Sequence, residues 1–165
     1  MGRRVFYSFH YRPDAYRASQ IRNAGVLEGN QSCSDNDWES VTKGGDAAIQ
    51  KWIDGQMSGR SCAVVLIGAD TAGRKWINYE IAKAWNDRKG VVGIYVHRLL
   101  GSNQKQSTKG ANPFAGIKLA GGRSNLAQLV RAYDPPFSAS TDVYANIKAN
   151  LAGLVEEAIQ IRNAN

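Results

Sequence analysis

CAVVLIGADTAGRKWINYEIAKAWNDRKGVVGIYVH, residues 62–97, reads as a strand, a helix and a second strand in succession. Cys62 to Ile67 is a continuous apolar run ending at Gly68, the pattern of a strand covered on both faces of a parallel sheet. Apolar residues then change to helical spacing from about Arg74 to Arg88. Ile77, Ile81, Ala84 and Trp85 fall on an inner face, and Trp76, Glu80, Lys83 and Asp87 form the stripe beside it. Gly90 stops the helix, and Val91 to His97 repeats the buried-strand pattern. Strand, helix and strand together predict a right-handed crossover unit.

Working outward, Arg3 to Phe9 has the aromatic and β-branched content of a first strand. Pro13 and Asp14 suit the first turn of a helix with Ala15, Ala18 and Ile21 inward, ended by Gly25. Val26 to Glu28 is at best a short second strand. Gly29 to Gly45 is a long polar stretch carrying Cys33, Asp35 and Trp38, and segments of that kind are often functional. Asp46 is placed to cap a helix through Met57 with Ala48, Ile49, Trp52 and Ile53 inward, closed by Ser58-Gly59. Leu99 to Ser124 shows no periodicity and is a candidate lid. Asn125 to Ala132 can hold a last edge strand, and Thr141 or Asp142 can cap a final helix with Val143, Ile147, Leu151, Leu154, Ala158 and Ile161 inward. The expected fold is α/β: a doubly wound, flavodoxin-like, mostly parallel sheet with helices on both faces, residues 1–165 forming one domain.

A chain of 165 residues, 43% hydrophobic and 21% charged, can bury a core without disulfides or a structural metal. Its net charge of +7 favours polyanions in general. Yet the basic residues are dispersed and do not alternate with aromatics, so no nucleic-acid partner is expected. No apolar run reaches the ~18 residues of a membrane span. The start of the chain runs directly into strand-like sequence, and a cytoplasmic location without membrane attachment is expected. Two cysteines, Cys33 and Cys62, read as free thiols; with only His10 and His97 beside them, no metal-ligand spacing arises. Neither Gly44-Gly45 nor Gly121-Gly122 forms a dinucleotide fingerprint or phosphate loop.

Ligands of such sheets bind where loops leave the carboxyl ends of the strands. That edge would gather Phe9 and His10, the segment around Asp35 and Trp38, the pair Trp76 and Glu80, and His97. Trp76 and Glu80 stand one helical turn apart and so share a face. Flat rings beside a carboxylate suit a ligand with aromatic rings and a reacting centre that gains positive charge. NAD+ is one such ligand, because breaking its glycosidic bond passes through an oxocarbenium-like state. Plainer readings also fit the spacing. Glu80 can be a solvated charge paired with Lys83, the tryptophans can be core residues, and His10 and His97 can be hydrogen-bonded structural residues. Ser8 has no base beside it in sequence to make it a nucleophile.

Three stretches, RRVFYSFHYR at 3–12, CAVVLIGADTAGRKWINYEIAKAW at 62–85 and KGANPF at 109–114, resemble the TIR-like family that includes the ThsB component of the Thoeris antiphage defence system. The resemblance runs through most of the chain and is most specific in its centre. It implies that Glu80 is the catalytic glutamate of an NAD-cleaving TIR domain. By the same likeness Ser8, Phe9, His10, Trp38 and Trp76 bind substrate, and no metal or separate cofactor is used. Such a protein would respond to a phage-derived trigger and self-associate on activation. It would release nicotinamide and make a cyclic ADP-ribose-type signal that reaches a separate effector protein by diffusion. The long loop after the second strand by which many TIR domains assemble has no clear counterpart here. The competing expectation is a non-catalytic interaction module, in which Trp76 or Phe9 would fill the cleft.

Overall fold

The computed structural model describes residues 3–30, 41–119 and 124–165. Val5–Phe9 (β1), Cys62–Ile67 (β2), Gly90–Tyr95 (β3) and Ala132–Tyr133 (β4) form a parallel sheet in the order β1-β2-β3-β4. Tyr11–Asn23 (α1), Gly45–Met57 (α2), Lys75–Asn86 (α3) and Ser140–Asn163 (α4) cover it. Side chains alternate across each strand. Val5, Tyr7, Val64 and Leu66 therefore pack with α1 and α4, whereas Phe6, Ala63, Val65 and Ile67 pack with α2 and α3 on the opposite face. This is the doubly wound, flavodoxin-like arrangement.

Residues 26–28 contribute a single parallel bridge, Arg4 to Glu28, with the Val5 amide donating to the Glu28 carbonyl at 2.8 Å. This bridge lies on the edge of β1 away from β2. The chain thus steps one way from β1 to Glu28 and the other way to β2, which makes the carboxyl end of β1 a switch point where the loops part and leave a crevice.

Several boundaries differ from the sequence reading for identifiable reasons. On α1 the inward positions are Asp14, Arg17, Ala18 and Ile21, with Ala15 only half-buried. Asp14 and Arg17 bury as an ion pair at 2.9 Å, which hides a polar inner face from a hydrophobic-pattern reading. Gly44, not Asp46, is the N-cap of α2, and Ala139 rather than Thr141 or Asp142 precedes α4. At the end of α4, Arg162 takes the inward place expected for Ile161. Its guanidinium lies 4.3 Å from the Trp85 ring centroid and donates to the Trp85 carbonyl, so Trp85 is covered from outside the core.

The expected lid over 99–124 is a correction. Leu99 and Phe114 are fully buried, and Arg17 donates to the carbonyls of Leu99 and Lys105 at 2.8 and 3.0 Å, fastening this segment to α1. None of its described residues borders the hollow described below. The edge strand expected from Asn125 shortens for a similar local reason. The Asn125 side chain accepts the Ala127 amide at 3.1 Å, fixing a 3-10 turn at Leu126–Gln128 and delaying the strand to Ala132.

Gly93 in β3 exists to admit Phe114. A Cβ there would sit 2.7 Å from Phe114 Cε2 and 2.8 Å from Ile67 Cδ1. Gly93→Ala is expected to lower unfolding stability by about 1–3 kcal/mol through overpacking. Urea titration would show this as an earlier midpoint at constant slope, and an unchanged midpoint would mean that Phe114 yields without strain.

Candidate active site

Two elements build the site. β1 delivers Ser8 on its α3-facing side and Phe9 and His10 at its carboxyl end. Gly73, with φ of +83°, turns the chain after β2 into α3. The first two turns of α3 then carry Trp76 and Glu80.

Glu80 is buried, with 8% of its surface accessible. The reading of Glu80 as a solvated helix charge does not hold. Lys83 instead pairs with Asp87 at 2.8 Å and approaches Asp54 at 3.8 Å, leaving Glu80 out of the exposed network. Its contact is internal: the Ser8 hydroxyl donates to Glu80 Oε1 at 2.7 Å. Burial pushes the Glu80 carboxyl up to about 8, and the Ser8 hydrogen bond partly opposes that rise by favouring the carboxylate. Near neutral pH Glu80 is therefore largely protonated.

A hollow of about 510 Å³ opens at the carboxyl end of β1. Phe9, His10, Trp76 and Glu80 share its wall, and neither ring fills it. Trp76 meets Tyr79 edge-on at 5.6 Å, with the Lys75 ammonium 4.9 Å from its ring centroid. His10 is held below the ordinary imidazole range by burial and then by the nearby Arg74 charge, so it is neutral. Its Nδ1 is buried with no hydrogen-bond partner among the described residues.

Other expected residues lie elsewhere. Ser8 is buried behind Glu80 and does not border the hollow; its route to a ligand runs through the carboxyl it holds. His97, expected at the same edge, follows β3, which β2 separates from β1. It packs edge-on against Tyr95 at 6.0 Å and is not on this wall. Asp35 and Trp38 lie outside the described residues. The sequence reading also missed Trp52, assigned to the core stripe of α2 but partly exposed on the wall, and the cations Arg12, Arg22, Arg74 and Lys75. The four cations are spread over two helix starts and one helix end, and only the fold brings them together.

The Ser8 contact makes a prediction. Removing the hydroxyl with Ser8→Ala deletes the interaction that favours ionised Glu80, so the carboxyl should rise by about one to two further units. Any activity that requires the carboxylate then shifts its pH profile alkaline by that amount, whereas a superimposable profile would show that Ser8 leaves Glu80 untouched.

A family model described as "Thoeris protein ThsB, TIR-like domain" matches residues 6–100, a span that contains β2, α3 and β3 and all of β1 but Val5. The chain is also 34% identical over 119 residues to the Bacillus cereus (strain MSX-D12) protein named "Putative cyclic ADP-D-ribose synthase ThsB1". That match covers 69% of this chain and 62% of the relative, so the chain spans less than two thirds of the relative's length.

Proposed function

The chain belongs to the Thoeris ThsB TIR-like domain family, and from that premise we propose that it cleaves the nicotinamide glycosidic bond of NAD+ and closes the resulting ADP-ribose into a cyclic signal. The observation that carries the proposal is a buried carboxyl on the wall of an open, aromatic-lined hollow at the switch point of the sheet.

Nicotinamide is held against the aromatic wall, with Trp76 as its platform. The cationic ring favours the ionised form of Glu80, so substrate entry draws the carboxyl proton out to solvent. The carboxylate hydrogen-bonds the hydroxyls of the adjoining ribose. As the C–N bond lengthens, positive charge moves from the nicotinamide ring to the ribose oxocarbenium, and nicotinamide departs neutral. Glu80 stabilises that charge from a position fixed by Ser8, with little reorganisation during the reaction. A nucleophilic group of the same ADP-ribose then attacks the anomeric carbon, and its proton passes to Glu80. A carboxyl with so high an affinity for protons is a competent base for that last step.

On this reading kcat/KM for nicotinamide release rises with pH as Glu80 ionises, levelling off above about pH 8. The cyclic product would act on a separate effector, with a phage-derived trigger and self-association controlling the output. A purely recruiting module has less support, since Trp76 and Phe9 leave the hollow open. The test is nicotinamide release by the wild type and Glu80→Gln under triggering conditions: equal rates would exclude the proposal.

A further inference from the structure

A second group of buried polar atoms lies away from the hollow, at the carboxyl ends of β3 and β4. The β3–β4 register pairs Gly93 with Ala132 and Ile94 with Tyr133, so Tyr95 and Asp134 come next. Lys109, in the segment after β3, reaches back over both: its ammonium lies 4.5 Å from the Tyr95 ring centroid and 3.0 Å from Asp134 Oδ2. His97 packs edge-on against the same ring at 6.0 Å and is 4% exposed. Two buried atoms here, His97 Nδ1 and Asp134 Oδ1, have no hydrogen-bond partner among the described residues. On one side of Lys109 the Ser107 amide donates to the His97 carbonyl at 2.8 Å. On the other, Gly110 packs so closely on the turn ahead of α3 that a Cβ there would lie 2.2 Å from the Gly68 carbonyl oxygen.

We propose that His97, Asp134 and Lys109 form an acid-operated latch on residues 105–111: on protonation His97 takes the Asp134 carboxylate, Lys109 is released, and the segment lifts from the end of β3. The latch goes beyond the NAD+ reading and does not depend on it. An imidazolium at His97 faces three cations, Arg17 from α1, Arg98 beside it and Lys109 above it, and one anion, Asp134. Arg17 is already paired with Asp14, and Arg98 donates to the Phe137 carbonyl at 2.8 Å, so Lys109 and His97 are the two claimants for Asp134. In the imidazolium both ring nitrogens donate, and Asp134 Oδ1 is a buried acceptor without a donor. The cation that loses the carboxylate must be hydrated. Lys109, with half its side chain exposed, meets that condition at little cost, whereas the buried imidazolium does not. Burial holds His97 below the ordinary imidazole range, with Asp134 opposing and the three cations adding to the effect. The latched form therefore binds fewer protons than the open one, so the latch holds at neutral pH and weakens as pH falls below the ordinary imidazole value.

Hydrogen–deuterium exchange of the full chain, corrected for the intrinsic pH dependence of amide exchange, reads the latch at the Ser107 amide in residues 105–111. Protection there should fall at least about tenfold between about pH 7.5 and about pH 5.5, because opening is linked to uptake of one proton. Protection of β2 should stay constant over the same range. His97→Gln, which takes up no proton, should keep its protection at both pH values. Asp134→Asn and Lys109→Gln, which undo the ion pair at any pH, should show low protection at both, and they decide the matter even where His97→Gln fails to fold. Wild-type protection that is flat with pH, a pH response retained in any of the three variants, or an equal loss in β2 overturns the latch. No arm involves NAD+, so a failed latch leaves the Glu80 proposal standing, and undiminished nicotinamide release by Glu80→Gln leaves the latch standing.

Discussion

Glu80→Gln is expected to reduce nicotinamide release from NAD+ by about 10²–10³-fold or more, the usual loss when one preorganised electrostatic group is removed from a transition state. The amide matches the carboxylic acid in shape and still accepts the Ser8 hydrogen bond through its carbonyl, so the hollow and α3 should persist. What disappears is the negative charge opposite the oxocarbenium and the base that takes the proton on ring closure. The loss should therefore appear in kcat, through the missing stabilisation of the oxocarbenium, and also raise KM, because the carboxylate holds the ribose hydroxyls in the bound substrate. A variant with wild-type kcat would remove Glu80 from the chemistry.

The same substitution should make the protein more stable in alkali. The unfolded chain ionises Glu80 above about 4.5, whereas the folded chain keeps the proton to about 8. Across that window the unfolded state binds fewer protons, so stability falls as pH rises through it and the loss is complete above the folded value. At ~1.4 kcal/mol per pKa unit the effect is on the order of 4 kcal/mol, a large share of a small domain's ~5–15 kcal/mol. Between pH 5 and pH 9, Glu80→Gln should gain that amount relative to wild type in paired urea titrations. Two curves that stay parallel with pH would show that Glu80 is not held protonated. Gain of stability with loss of activity from one change is the pattern of a residue strained for function.

How far the sequence discloses this protein depends on where each signal is stored. The β2-α3-β3 unit was legible because Cys62–Ile67 and Gly90–Tyr95 are buried on both faces, a condition that leaves a continuous apolar run. The first strand was legible from its aromatic and β-branched content. The burial of Glu80 was not, since the helical pattern places it beside the inner face and the group that receives it is Ser8, 72 positions away. Segment 99–119 resisted assignment because side-chain contacts hold it in place of periodic burial: Arg17 takes two of its carbonyls, and Phe114 enters the core through the space at Gly93. The cationic α1 side was invisible for a topological reason, as Arg12 and Arg22 sit at opposite ends of one helix and meet a common cavity only because Arg22 lies across Tyr7 and Phe9. Trp76 and Glu80 could be paired in advance because one helical turn separates them. Family resemblance supplied the rest of the argument for that pair.

The most direct test is mass spectrometry of nucleotides from phage-challenged cells carrying either the wild type or Glu80→Gln at matched protein levels. The account predicts nicotinamide accumulation and a cyclic ADP-ribose species in wild-type cells alone. The same species at the same level in Glu80→Gln cells would contradict it.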